Sequence, residues 1–186
     1  MSYPSRDEAL AVLKEHTQGE SLLKHAYAVE AAMRFYAARS GEDAERWGVA
    51  GLLHDFDYER YPSLDDHPFK GAEILRARGY DAELIDTILS HADHAGVPRT
   101  TLVRRTLFAV DELCGFVTAV TLVRPSKKIA EVEPSSVKKK LKDKGFARNV
   151  SREDIAVGAD LIGVPLDEHI QNVITAMRGI ADELGL

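Results

Sequence analysis

The sequence predicts an all-α fold, a compact helical bundle, and three observations support this prediction. Apolar residues recur at helical spacing along most of the chain, capping residues stand where helices should start and stop, and no segment shows the alternation of a half-buried strand. Ser5 to Glu8 and Ser151 to Asp154 have the pattern of capping boxes, in which a serine and an acid satisfy the first free N–H groups of a helix. We therefore expect helices joined by loops, and no sheet.

Start and stop signals divide the chain into its predicted helices. Ser21 is the expected cap of the second helix and Gly41 its end, while His67 and Pro68 are the expected cap and first residue of the fourth, which stops at Gly79. The predicted helices, in chain order, cover about 5–16, 21–40, 43–54, 67–79, 81–94, 100–123, 136–144, 151–162 and 165–184.

The composition is that of an ordinary globular chain, with 186 residues of which 45% are hydrophobic and 29% charged. The single cysteine, Cys114, excludes a disulfide framework. No apolar run approaches the roughly 20 residues of a membrane span, and the first residues lack the apolar centre of a signal peptide. We therefore expect one domain over residues 1–186, located in the cytoplasm and without a membrane partner.

Charge is distributed unevenly along the chain. The net charge is −6, but residues 124–148 carry nine lysines and arginines against three acids, so this segment is +6 and the remainder −12. A basic patch attracts phosphate-bearing ligands, although lysine runs also occur on solvated helix faces. We predict that Arg124, Lys127 and Lys128 contact a substrate phosphate. Overall acidity, without interleaved basic and aromatic residues, argues against nucleic acid as a partner.

Four predicted helices place an ionisable residue on the row that faces the core. These residues are His25, His54 with Asp55 beside it, His91, and Asp111. One of them alone, such as His25, can be a hydrogen-bonded core residue. Several carboxylates and imidazoles together are harder to explain, because a buried carboxylate is unfavourable unless it is paired or bound to metal. A divalent cation accepts both ligand types, so the pattern predicts a metal centre.

The order of these residues resembles the His…His-Asp…Asp pattern for which the HD-domain superfamily is named. Three segments strengthen the resemblance. Residues 50–55, Ala-Gly-Leu-Leu-His-Asp, look like the superfamily's core motif. Residues 67–75 resemble the His-Pro-x-x-Gly-Ala-x-Ile-Leu segment of its HDIG-type branch, and residues 88–92 are similar to that branch's next histidine motif.

The resemblance implies a five-helix metal-binding core at about 20–123, followed by a basic segment and C-terminal helices at 124–186. It implies one divalent ion, or two with Asp55 bridging, and the implied ligands are His25, His54, Asp55, His67, His91 and Asp111. For His67, a simple helix cap before Pro68 is the alternative. The ion itself (Fe, Mn, Zn, Ni, Co or Mg) is not decided by such ligands, and the oligomeric state stays open.

The implied activity is hydrolysis of a phosphate ester or anhydride, in a nucleotide or another small phosphorylated metabolite, by metal-activated water. An HD-type di-iron oxygenase and a non-catalytic nucleotide-sensing module remain alternatives. The lysine that often follows the pair in this superfamily is replaced by Tyr58, which leaves the proton-transfer partner open. We predict Asp55 and Asp57 as catalytic residues, Asp57 by orienting a ligand imidazole. The other histidines, His16, His94 and His169, are expected on the surface.

Overall fold

Helices account for nearly all regular structure in the computed structural model of this chain, which describes residues 2–186. The α-helices are α1 (Arg6–His16), α2 (Glu20–Ser40), α3 (Ala44–Leu53), α4 (Phe69–Ala77), α5 (Ala82–Leu89), α6 (Leu102–Leu122), α7 (Pro134–Leu141), α8 (Arg152–Leu161), α9 (Leu166–Arg178) and α10 (Ala181–Leu184). Within the described residues the only β-type pairing is an isolated bridge between Ser2 and Tyr80. The prediction of an all-α fold is confirmed. No helix of this part of the chain has the length and apolar character needed to cross a membrane.

Several helix boundaries differ from the predicted ones for local reasons. The cap of α2 is Gly19, so the prediction of Ser21 is wrong. The fifth helix ends at Leu89 instead of continuing to residue 94. The Ser90 hydroxyl donates to the Thr87 carbonyl and the His91 ring to the Ile88 carbonyl, which occupies two acceptors that further helical N–H groups would need.

The two predicted capping boxes have different outcomes. Ser5 and Glu8 exchange both bonds, as predicted. The Ser151 hydroxyl accepts from the N–H of Asp154 at 3.1 Å, but the N–H of Ser151 donates to the Glu112 carboxylate on α6 at 3.1 Å. The start of α8 is therefore tied to another helix as well as to its own first turn. The last predicted helix is divided into α9 and α10 around Gly179.

Helix α2 lies between two apolar cores. One core joins it to α6 and α9, with Val117 and Val173 fully buried, and the other joins it to α1, α3 and α5, with Leu13 and Leu53 fully buried or nearly so. Burial of this apolar surface is the main contribution to the stability of such a bundle. The predicted ligands lie where the elements of the two cores meet.

Glycines allow two of the helix pairs to approach closely. A Cβ at Gly51 on α3 would lie 3.0 Å from backbone atoms of α2, and one at Gly158 on α8 would lie 2.6 Å from the Cα of Ala109 on α6. The contact at Gly158 is too short for a side chain, and the contact at Gly51 is tight enough that a side chain would push α2 and α3 apart. The approach of α3 to α2 brings the end of α3, which carries His54, towards the N-terminal part of α2, which carries His25.

Candidate metal centre

The structure brings all six predicted ligands together from separate parts of the chain. Each stands at a helix, at a helix end or in the adjoining turn, so the bundle fixes its position. They are His25 in α2, His54 and Asp55 at the end of α3, His67 before α4, His91 after α5, and Asp111 in α6.

Three of these residues form the first ligand group, which is His25, His54 and Asp55. One candidate ligand atom from each lies within 4.8 Å of the others, a spacing that suits a metal ion. The carboxylate of Asp111 adjoins this group, because its Oδ1 lies 2.9 Å from Nε2 of His25 and 3.4 Å from Nε2 of His54. Nε2 of His54 is also 3.5 Å from Oδ2 of Asp55.

The second ligand group consists of Asp55, His67 and His91 and meets the same distance criterion. Oδ1 of Asp55 lies 3.2 Å from Nε2 of His67 and 3.3 Å from Nε2 of His91. Asp55 thus turns one oxygen towards His54 and the other towards the second pair of histidines. This carboxylate is the element that the two groups share.

In His54 and His91, a hydrogen bond from the ring nitrogen that points away from the site determines which nitrogen faces the site. Nδ1 of His54 lies 2.7 Å from the Gly51 carbonyl, and Nδ1 of His91 lies 2.6 Å from the Ile88 carbonyl. A carbonyl oxygen only accepts, so Nδ1 carries a proton in both rings, and Nε2 is the nitrogen that can take either a second proton or a metal ion.

The inward-facing atoms have the character of metal ligands. Nε2 of His67 lies 3.2 Å from Nε2 of His91, a distance at which a cation, either a proton or a metal ion, has to lie between the two nitrogens. Nε2 of His54 and Oδ1 of Asp55 are buried and have no hydrogen-bond partner within the described residues. Buried polar atoms of this kind need a partner, and a divalent ion would supply it to all of them. The residues present therefore fit a metal.

The electrostatics of the site also favour a cation. Burial alone would lower the pKa of His54, but the Asp55 and Asp111 carboxylates outweigh burial and raise this pKa to about 10. Burial likewise opposes charge on His67, yet Asp55 and Asp57 raise its pKa to about 9. For Asp55, burial is outweighed by His54 and the neighbouring histidines, which hold its pKa well below the usual range. The carboxylates thus stay charged and attract positive charge to the centre.

Asp57 holds His67 of the second ligand group by the ring nitrogen that points away from Asp55. Its side chain is fully buried, Oδ1 lies 2.8 Å from Nδ1 of His67, and Oδ2 accepts from the N–H of Gly71 at 2.7 Å. A Cβ at position 71 would lie 2.8 Å from the Asp57 carboxyl carbon, so only glycine permits this approach. The ring of His67 faces the two aspartates and α4 has no side-chain cap, so the alternative of His67 as a helix cap is wrong.

A cavity of about 500 Å³ opens onto the centre. Beside the ligands its wall includes Tyr58, Leu64 and Phe108, and three acids that were not predicted for the site, Asp93, Glu112 and Asp154. Burial, and then the neighbouring Asp111, raise the pKa of Glu112 to about 7. No lysine or arginine of the described chain lines this cavity.

The three cations predicted as phosphate contacts are not brought to the centre. Arg124, Lys127 and Lys128 are absent from the cavity wall among the described residues. Arg124 instead pairs with Glu131 at 3.6 Å, beyond the end of α6. Since Asp111 lies in the middle of α6, more than three helical turns separate it from Arg124 along the chain.

Two of the three histidines expected on the surface are buried. His169 accepts from the Tyr36 hydroxyl at Nδ1 (2.6 Å) and donates from Nε2 to the Ala109 carbonyl (2.9 Å), and its side chain is fully buried. His16 is also buried, with Nδ1 3.0 Å from the Val12 carbonyl. The burial of His169 could have been predicted from its position on the apolar row of a predicted helix. His94 is exposed, as predicted, although its Nε2 lies 2.8 Å from the His67 carbonyl.

Comparison with known proteins agrees with this geometry. A family model described as HD domain matches residues 22–114, half of the chain, and the matched range extends from the start of α2 past Asp111. A search of curated proteins and a search of solved structures returned no match. HD domains bind divalent metals, and the two ligand groups that share Asp55 are able to do so. The chain belongs to the HD domain family, whose members are in general metal-dependent phosphohydrolases.

Proposed function

We propose that this protein is a two-metal phosphohydrolase of the HDIG type, which cleaves a phosphate ester or anhydride in a nucleotide or another small phosphorylated metabolite. The observation that carries the proposal is the pair of ligand groups on opposite oxygens of Asp55. Oδ2 lies 3.5 Å from Nε2 of His54, and Oδ1 lies 3.2 Å from Nε2 of His67. The presence of His67 and His91 beside Asp55 supports the HDIG assignment.

Each residue has a defined task in the proposed enzyme. His25, His54, Asp55 and Asp111 would hold one ion, and Asp55, His67 and His91 the other. Bound divalent ions lower the pKa of water from 15.7 to about 7 and neutralise charge on phosphoryl oxygens. Asp57 keeps the proton of His67 on Nδ1, so that Nε2 remains free to bind. The carbonyls of Gly51 and Ile88 do the same for His54 and His91.

The wall of the cavity suits a reaction in which the ions, and not side chains, bind the phosphoryl group. The acids Asp93, Glu112 and Asp154 line it, and no lysine or arginine among residues 2–186 does. A phosphate in such an environment is repelled unless metal charge outweighs the carboxylates. This dependence on metal agrees with a phosphohydrolase of the HD type.

Phosphate release tests the proposal. The purified protein, supplied with the metals that it contains, is assayed on p-nitrophenyl phosphate, bis(p-nitrophenyl) phosphate, nucleoside monophosphates and nucleoside triphosphates. We expect hydrolysis that chelation abolishes. Asp111→Asn should lower kcat/KM by at least about a hundredfold, because it changes a carboxylate beside the first ligand group. Asp160→Asn, at an exposed acid of α8, is the matched control and should retain activity.

Oxygen uptake separates the proposal from the oxygenase alternative. The same preparation, loaded with iron, is followed with an oxygen electrode in the presence of each substrate. We expect no substrate-dependent uptake. Uptake without phosphate release would contradict the hydrolase, and neither reaction with any of Mn, Fe, Co, Ni, Zn or Mg would favour a non-catalytic module.

A further inference from the structure

A second cavity adjoins the metal centre. It measures about 590 Å³, and we call it the annex cavity; residues of α2, of α6 and of the segment from α10 to residue 186 line it. Among its lining residues are Ser21, Lys24, His25, Gly115, Leu122 and Leu186. His25 and Gly115 also line the cavity over the metal centre, so the two spaces meet at these residues. A volume of this size is typical of sites that bind small organic molecules.

Gly115 is unusual among the glycines inside helices. At Gly158 an added Cβ would lie 2.6 Å from the Cα of Ala109, and at Gly48 it would lie 2.6 Å from Nε of Arg34, so a side chain at either position would displace a neighbour. At Gly115 the nearest atoms belong to the His25 ring at 4.0 Å, an ordinary contact distance. A glycine inside a helix lowers stability relative to alanine, and here packing does not require it. Its effect is to leave open the space where the two cavities meet.

The α6 helix provides a continuous path from the metal centre into the annex cavity. Asp111, Gly115, Thr118 and Leu122 follow one another at helical spacing on one face, with Asp111 at the centre and the other three lining the annex cavity. A molecule whose phosphate lies beside Asp111 can therefore extend past Gly115 towards Leu122.

The walls indicate what kind of molecule fits this path. Leu122, Leu184 and Leu186 make much of the annex cavity apolar. Across both cavities, Lys24 is the one lysine or arginine among the described lining residues, and it is already paired with Glu20 at 2.6 Å. A chain of several phosphates needs several cationic partners, whereas one phosphoryl group with an apolar remainder does not.

We propose that the annex cavity is the subsite for the organic part of the substrate, and that the substrate is a phosphoester of an extended, largely apolar alcohol. This inference rests on the proposed function, since it assumes that the phosphate lies at the metal centre. It narrows that function by favouring long apolar esters over compact polyphosphates.

Binding of phosphonates tests the subsite without depending on turnover, because their carbon–phosphorus bond is not hydrolysed as an ester. The affinities of ethylphosphonate and hexylphosphonate for the protein, as purified with its metal, are measured by calorimetry. We expect hexylphosphonate to bind at least about tenfold more tightly, because each buried methylene contributes roughly fourfold in affinity. Equal affinities, or no binding of either compound, would overturn the subsite.

Variants that fill the annex cavity should remove the preference for the longer chain. Leu122→Trp acts at its rim, where 47% of the side chain is exposed and a larger residue can be accommodated; Gly115→Leu acts where the cavities meet. Both should bring the two affinities to within about twofold of each other. Val157→Trp, at a similarly exposed apolar residue of α8 outside both cavities, is the matched control and should keep the preference. Unchanged preference in Leu122→Trp would overturn the proposal.

The two proposals fail differently. Ester hydrolysis by a protein that binds both phosphonates equally would leave the phosphohydrolase standing and remove the subsite. A chain-length preference in binding that Leu122→Trp abolishes, in a protein that hydrolyses no ester, would support the subsite and contradict the hydrolase.

Discussion

Replacement of Asp57 by asparagine should change the proton position on His67 and weaken the second ligand group. The Asp57 carboxylate accepts two hydrogen bonds, from the N–H of Gly71 at 2.7 Å and from Nδ1 of His67 at 2.8 Å. Asparagine has one acceptor oxygen, and a backbone N–H cannot become an acceptor. The amide oxygen therefore stays at Gly71, and the amide NH₂ group faces Nδ1 of His67.

The consequence appears at the inner side of the ring. With a donor opposite Nδ1, the neutral ring carries its proton on Nε2, the atom that lies 3.2 Å from Oδ1 of Asp55. A protonated Nε2 cannot bind a metal. Changes to the partners of ligand histidines lower metal affinity by about 10–100-fold, which corresponds to about 1.4–2.7 kcal/mol. Among the described residues, no side-chain hydrogen bond or ion pair joins Asp57 to His25, His54 or Asp55, so the first ligand group should keep its affinity.

Calorimetric titration of the metal-free variant with Mn²⁺ or Zn²⁺ measures the effect, and long-range nitrogen–proton NMR correlation reports the tautomer of His67. Asp65→Asn is the matched control, because Asp65 is an exposed acid of the same loop. We expect Asp57→Asn to weaken one of two binding events and Asp65→Asn to weaken neither. Wild-type affinity for both ions in Asp57→Asn would refute this reasoning.

Three further results are expected. Arg124→Ala should change KM for a phosphorylated substrate by no more than about twofold, because Arg124 only pairs with Glu131 at the surface; a larger rise would restore its role in phosphate binding. Burial lowers the pKa of His169, so below about pH 6.5 the unfolded chain takes up a proton at this residue that the folded chain does not. The free energy of unfolding should therefore fall as the pH drops below about 6.5, and it should fall less steeply in His169→Gln. Urea unfolding at several pH values measures this free energy, and the same dependence on pH in both proteins would contradict the reasoning. Gly158→Ala should destabilise the protein by about 1–3 kcal/mol through its contact with α6, whereas Gly115→Ala should stabilise it by up to about 1 kcal/mol. Thermal unfolding of the two variants measures these changes, and a change in the same direction in both would contradict the packing argument.

The sequence predicted the metal centre because helical periodicity fixes which residues share a face. His25 and Asp111 occupy inward rows of long helices, and the rows of α2 and α6 do meet, with the two side chains 2.9 Å apart. The match to a known family added His67, which no periodicity indicated. The start of α1 was also predicted correctly, because the capping box depends only on Ser5 and Glu8, which are close together in the chain.

Features that depend on tertiary contacts could not be predicted in this way. Asp57 was predicted to orient a ligand imidazole, but its burial and the identity of its partner were not, because it lies in a turn, where acids are commonly solvated. The approach of Gly71 buries the carboxylate, and its partner is His67. His169 stands on an apolar row like His25, but its partners are Tyr36 and the Ala109 carbonyl, which are distant in sequence. A single histidine on such a row does not reveal whether a metal or a hydrogen bond satisfies it.

Elemental analysis of the purified protein beside its Asp55→Ala variant tests the central claim most directly. Asp55 belongs to both ligand groups, so its loss should affect both ions at once. We expect about two equivalents of divalent metal in the wild-type protein, and little or none in a folded Asp55→Ala variant. Full metal occupancy in Asp55→Ala, or a wild-type protein that binds no divalent metal, would contradict a centre built on the pair His54-Asp55.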